Sequence, residues 1–152
     1  MDKEDPLTWE IEPQENFLDI HLLYRAVHKI LWNKWPDLNK IYTNFFSFNQ
    51  VINGLSVDWS KYATPEDTLN RRIDPNLTSN GIIEIIVGKL RECIKQNDYS
   101  ITIQHYPLRI PPINRAHSLL DGITKINKAK IKRELSTIAQ WAPNMKPIKE
   151  QI

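Results

Sequence analysis

Residues 54–67, Gly-Leu-Ser-Val-Asp-Trp-Ser-Lys-Tyr-Ala-Thr-Pro-Glu-Asp, decide the fold class, because a strand and a helix start stand almost side by side in them. Leu55, Val57 and Trp59 alternate with Ser56, Asp58 and Ser60, the period of a half-buried strand. Thr64-Pro65-Glu66-Asp67 then supplies a threonine cap, proline at the first helical position and acids in the first turn. The helix is expected to end near Arg71-Arg72, before the Asp74-Pro75 loop.

Upstream, residues 39–53 are aromatic and β-branched and lead into Asn53-Gly54, a hairpin dipeptide. Residues 45–51 are therefore expected to pair with 55–59. Earlier still, Phe17, Ile20, Tyr24, Val27 and Leu31 fall on one helical face, which Leu18, Leu22, Leu23 and Ile30 widen. That spacing predicts a central helix over 15–35, stopped by Pro36. The run LLYRAV leaves a short strand over 22–27 open.

Downstream, residues 81–96 read two ways. Ile82, Ile83, Ile85, Ile86 and Val87 suit a buried strand, whereas Ile82, Ile86, Leu90, Cys93 and Asn97 fit a helix capped by Asn80. Sixteen residues exceed an ordinary strand, which favours the helix. Residues 100–106 alternate like a strand, 108–114 form a proline-pinned connection, and 116–120 are a short strand candidate. A final helix is expected over 124–141, with Ile131, Leu135 and Ile138 on its buried side. Together these elements predict a single α+β domain: three or four short strands, mostly antiparallel, packed by three or four helices. Residues 1–14 read as an acidic arm, 15–142 as the domain, and 143–152 as a tail marked by Pro143 and Pro147. Trp32, Trp59 and Trp141 are expected in the core.

A chain of 152 residues buries roughly 68–70% of its unfolded surface and needs no covalent staple. Its 41% hydrophobic and 25% charged residues exclude a coiled coil, a collagen-like repeat and a wholly disordered chain. Cys93 is the single cysteine, which excludes an internal disulfide and a thiolate-rich zinc site. Neither glycine-rich phosphate motif occurs, so no cofactor is expected. His21 and His28 stand seven apart without the i, i+4 spacing and carboxylate of a metal motif, so no metal is expected either. The start is acidic and broken by Pro6 and Pro13, unlike a secretory signal. The longest strongly apolar run, 82–87, contains Glu84 and falls short of a membrane span. A cytoplasmic protein follows, and the Asn76-Leu77-Thr78 sequon is taken as incidental.

Charge is unevenly distributed. Residues 1–76 carry a balance of −4 and residues 77–152 one of +6. The first twenty residues hold seven acids and one lysine, while 125–133 hold five cations and no acid. Lys125, Lys128 and Lys132 fall at i, i+3 and i+7, one helical stripe in which each lysine could neutralise a phosphate. Interleaved aromatics for stacking bases are absent from that stripe. The acidic arm is expected to compete for the same face.

The densest group of chemistry-bearing residues is HYPLRIPPINRAHS, residues 105–118. His105, Tyr106, Arg109, Asn114, Arg115 and His117 stand there between two strand candidates. Two imidazoles beside two guanidiniums suit metal-independent phosphoryl transfer, one His as base, one as acid, Arg on the developing charge. The plainer alternative has His105 pointing from a strand into a polar network and Arg115 paired with a carboxylate. Ser56 and Asp58 share a strand face, but no G-x-S-x-G elbow accompanies them; an ion pair with an arginine is the plainer use of Asp58. Two functions follow as expectations: an accessory protein binding a protein or nucleic-acid partner through its polarised charge, or a metal-independent nuclease or transferase built on residues 105–118.

Three blocks carry a resemblance: LLYRAVH at 22–28, GLSVDWSKYATPE at 54–66, and P-x-x-N-R-A-H-S at 111–118. They resemble a scattered group of small bacterial proteins of unassigned function, whose pattern runs Leu-Tyr-Arg-Arg-Val-His-Pro, Ser-Val-Asp, Asn-Pro-Ala-His, then an Ala-rich helix. This chain departs at Ala26, Lys29 and Arg115, and the blocks cover about a fifth of it. The resemblance implies no fold, substrate or activity; it singles out Arg25, His28, Asp58, Asn114 and His117 as one constellation. An arginine on an early element followed by serine-containing strands is also reminiscent of ADP-ribosyltransferases, an analogy at the level of fold.

Overall fold

The computed structural model describes residues 4–47, 54–71 and 81–148. Within these residues six strands form one sheet: β1 Leu22–Val27, β2 Gly54–Trp59, β3 Gly81–Ile86, β4 Thr102–His105, β5 His117–Asp121 and β6 Gln140–Trp141. Their spatial order is β4-β5-β2-β1-β3-β6, and every neighbouring pair is antiparallel. Among the described residues four α-helices accompany the sheet: α1 Lys29–Trp32, α2 Pro65–Asn70, α3 Val87–Gln96 and α4 Lys128–Ile138. The class is α+β, with a sheet wider than the three or four strands expected.

The helix expected over 15–35 is instead strand β1 followed by the single turn α1. The cause is burial on both faces of the sheet. Leu23 and Val27 join the main core, while Tyr24, Leu22 and Ala26 pack with Ile82 and Ala142 on the opposite face. A strand covered on both sides reads as a nearly continuous apolar run, which imitates a helical stripe. Residues 81–96 divide between the two readings: the isoleucine run is β3, and α3 begins directly at Val87. Asn80, offered as a cap, lies outside the described residues.

The hairpin expected between residues 45–51 and β2 falls largely outside the described residues. Phe45 and Phe46 belong to a 3₁₀ turn, Thr43–Phe46, and residues 48–53 lie outside the described residues. β2 pairs with β1 and β5. Its downstream helix forms as the local signals require: Thr64 Oγ1 accepts from Asp67 N and Asp67 Oδ2 accepts from Thr64 N, a reciprocal capping box. α4 starts at Lys128 because Thr124 and Asn127 form a reciprocal bonded turn ahead of it. After Ile138 the chain extends into β6 against β3.

α3 and α4 cover one face. Leu90, Ile131 and Leu135 meet Leu23, Leu55, Val57, Trp59, Ile83 and Ile85 there, with Phe17, Trp32, Phe45 and Phe46 closing the layer. Each fully buried phenylalanine in it contributes roughly 1.5–3 kcal/mol. α2 lies on the other face and sends Leu69 toward Tyr24 and Ile82. At the exit of β5, Gly122 has φ +96°, and a Cβ there would stand 2.1 Å from Ser100 O, so only glycine fits that turn. Among the described residues no helix is long and apolar enough to cross a membrane.

Candidate functional site

The register aligns polar side chains across the α2 face of the sheet. Asp58 stands opposite His117 on β5 and opposite Tyr24 on β1; Tyr24 stands opposite Glu84, and Glu84 opposite Gln140. Asp58 is 7% exposed, and a carboxylate so deep requires partners. Asn114 Nδ2 donates to Oδ1 at 2.8 Å, while Thr68 Oγ1 at 2.8 Å and Arg71 Nη1 at 2.7 Å serve Oδ2. Glu84 Oε1 accepts from Gln140 Nε2 at 2.8 Å. Burial, followed by the charges of Glu84 and Glu66, pushes the Tyr24 phenol above its ordinary value.

Beside this row a cleft of about 500 Å³ opens between β1, β2, α1 and α2. Ser56, Asp58 and Thr68 give it a polar side, Ala26, Ile30 and Leu31 an apolar one, and His28 lines it at the start of α1. Arg25 borders it and is clamped by main-chain carbonyls: Nε donates to Phe45 O at 3.0 Å, Nη1 to Ser56 O at 2.8 Å, and Nη2 to Ser47 O. Burial lowers its pKa to about 10, so it remains a cation at neutral pH. His117 Nδ1 lies 2.8 Å from Tyr106 O, which can only accept. In the neutral ring Nε2 is then the acceptor, 3.3 Å from Ser56 Oγ.

The three blocks of the resemblance are thus brought together. Arg25, His28 and Asp58 line one cleft, Asn114 holds Asp58, and His117 adjoins both Asp58 and Ser56.

The acid–base pair expected from residues 105–118 does not form. His105 pairs in register with Ser118, so His105 and His117 project from opposite faces of the sheet. His105 is buried: Nδ1 accepts from Glu12 N at 3.0 Å and Nε2–H donates to Arg115 O at 2.7 Å. Its ring packs near Trp59 and Tyr62, and burial lowers its pKa. The two arginines expected to hold a substrate instead hold the N-terminal segment. Arg109 Nε donates to Trp9 O at 2.8 Å; the Arg115 guanidinium lies 4.5 Å from the Tyr62 ring centre and pairs with Glu4 at 3.3 Å.

That segment has an anchor of its own. Glu12 receives Lys61, Tyr62 and Asn16. Burial alone would raise its pKa, but these hydrogen bonds and the Lys61 charge outweigh it and hold the carboxyl at about 2. The acidic arm is therefore fastened over residues 105–115, and the expectation that it shares the face of the lysine helix is corrected.

Lys128, Lys132 and Arg133 on α4, with Lys125 from the turn just ahead of it rather than on the expected helical stripe, line a separate groove of about 440 Å³ with Thr43 and Ala129. Ile131 and Leu135 pin the helix to the core, so Lys128, Lys132 and Arg133 stand on a rigid element. Burial, then the neighbouring charges of Lys128 and Arg25, lower the Lys132 pKa, as a concentration of positive potential requires. Sequence reasoning missed Glu12, Lys61, Thr68, Arg71 and Thr43. Of these, Thr68 and Arg71 were within reach, since residues three apart on a capped helix share a face.

Among the described residues no group of three or more His, Cys, Asp or Glu is placed to hold a metal ion. No protein-family model, curated protein or solved structure matches the chain.

Proposed function

We propose that the protein is a nucleic-acid-binding accessory protein of the cytoplasm that seats a phosphate backbone on the α4 groove. The observation that carries this reading is the lining of the groove among the described residues: four cations, a threonine and an alanine. Lysines act there as compact point charges, suited to phosphate oxygens and poorly suited to reading base edges. The projection of His105 and His117 from opposite faces of the sheet favours this reading over a nuclease that uses the two as acid and base.

The test measures binding to mixed-sequence RNA and DNA over a range of salt. Affinity should tolerate sequence, fall steeply with salt, and lose about one unit of log–log slope for each of Lys125, Lys128 and Lys132 changed to Ala. The RNA should remain intact. Absence of binding at low salt overturns the proposal and points to a protein partner; chelator-resistant cleavage lost in His117→Ala would point to the enzyme instead.

A further inference from the structure

The basic groove and the Asp58 cleft are neighbours, joined by the 3₁₀ turn Thr43–Phe46. Thr43, its first residue, lines the groove, and Ser47, immediately after its last, lines the cleft. Four residues of 3₁₀ helix advance about 8 Å, a span that adjacent nucleotides of one strand bridge. Arg25 ties the two regions together, because its guanidinium borders the cleft while holding the carbonyls of Phe45 and Ser47 in that turn. Three of its N–H groups are fixed by backbone, so the charge cannot swing away.

The cleft has the size and the two-sided chemistry of a site for a flat, polar-edged ring. About 500 Å³ falls within the ordinary range of small-ligand pockets. Ala26, Ile30 and Leu31 offer apolar surface to a ring face; the Ser56 hydroxyl, and the lone pairs that Thr68 Oγ1 and the Asp58 carboxylate keep beside their bonds to each other, Asn114 and Arg71, can accept N–H groups from its edge. A base inside a duplex is paired and stacked and cannot enter such a cleft, whereas an unpaired base can be splayed out into it.

Resting on the nucleic-acid reading, we infer that the cleft between β1, β2, α1 and α2 receives an unpaired base of the strand whose phosphates lie on α4, so that the protein selects single strands over duplexes. The test compares a labelled mixed-sequence single-stranded RNA with its duplex at low salt. The intact protein should bind the single strand about tenfold more tightly, the scale of burying one ring face against the apolar wall. Excess adenosine or cytidine, which carry no phosphate, should abolish that advantage and leave duplex binding unchanged. Ala26→Phe, which fills the cleft, should do the same; the nucleoside competition decides the matter if that variant fails to fold. Equal binding of single strand and duplex, indifferent to nucleoside, overturns this inference and leaves the phosphate reading standing. Loss of both forms of binding removes the two together.

Discussion

Arg71 Nη1 stands 2.7 Å from Asp58 Oδ2, and this ion pair joins the end of α2 to strand β2 at a carboxylate that lines the cleft. Asp58 accepts three donors from two separate segments: Asn114 before β5, and Thr68 and Arg71 within and at the end of α2. Truncating the acceptor strands all three donors. Asp58→Ala should therefore cost about 3 kcal/mol or more, with Arg71→Ala costing less because its own side chain is the more exposed. Urea unfolding of both variants measures the difference. A loss of under about 1 kcal/mol in Asp58→Ala would show that the network carries little.

Stability should fall with acid in two windows. The first comes from His21 and His105. His21 Nδ1 accepts from Leu18 N at 2.9 Å and Trp59 Nε1 at 3.0 Å, and His105 Nδ1 accepts from Glu12 N, so both rings fold as neutral acceptors. Burial above all lowers both pKa values below the ordinary 6.5. The unfolded chain then binds protons that the folded one refuses, and stability declines as pH falls below about 6.5. The second window belongs to Glu12, whose folded value of about 2 lies below the ordinary 4.5. Its contribution is complete above about pH 4.5 and is lost as pH falls toward 2. Urea midpoints against pH should show both declines. Glu12→Gln should remove the lower one and leave the upper; an unchanged lower decline would mean that other carboxylates set it.

What could be read from the residues followed the range of each signal. The capped start of α2 and the alternation of β2 are encoded within a few residues, and both formed as expected. β1 failed because its apolar run serves two faces, information that resides in the residues packed above and below it. The fate of His105 and His117 turned on parity: once His105 pairs with Ser118, the residue before Ser118 must point the other way. Nothing in the spacing of two histidines twelve apart contains that register. The convergence of Arg25, His28, Asp58, Asn114 and His117 likewise depends on strand order, which places β1, β2 and β5 side by side although β3 and β4 intervene in the chain. Glu12 left no local trace, because its partners Lys61 and Tyr62 are about fifty residues away.

The last prediction concerns the acidic N-terminal segment. Its charge and the basic α4 groove suggest self-inhibition, in which case deletion would tighten nucleic-acid binding. The geometry argues for a different outcome. Phe17 stacks on Trp59 with ring centres 3.9 Å apart, Trp9 is 5% exposed, and Glu12 and the Trp9 carbonyl bond to the 105–115 loop and its neighbours. Removing residues 1–17 would uncover the central tryptophan of the core and leave the His105 Nδ1 and Arg109 Nε groups without their partners. The truncated chain should therefore melt at a markedly lower temperature or fail to fold. Glu10→Gln with Glu15→Gln separates charge from structure, since both side chains are exposed. At physiological salt their fields are screened over about 8 Å, so this double variant should keep the stability of the parent and change RNA affinity by less than about twofold. A truncated chain that melts like the parent and binds RNA more tightly would establish the segment as a competitor for the groove.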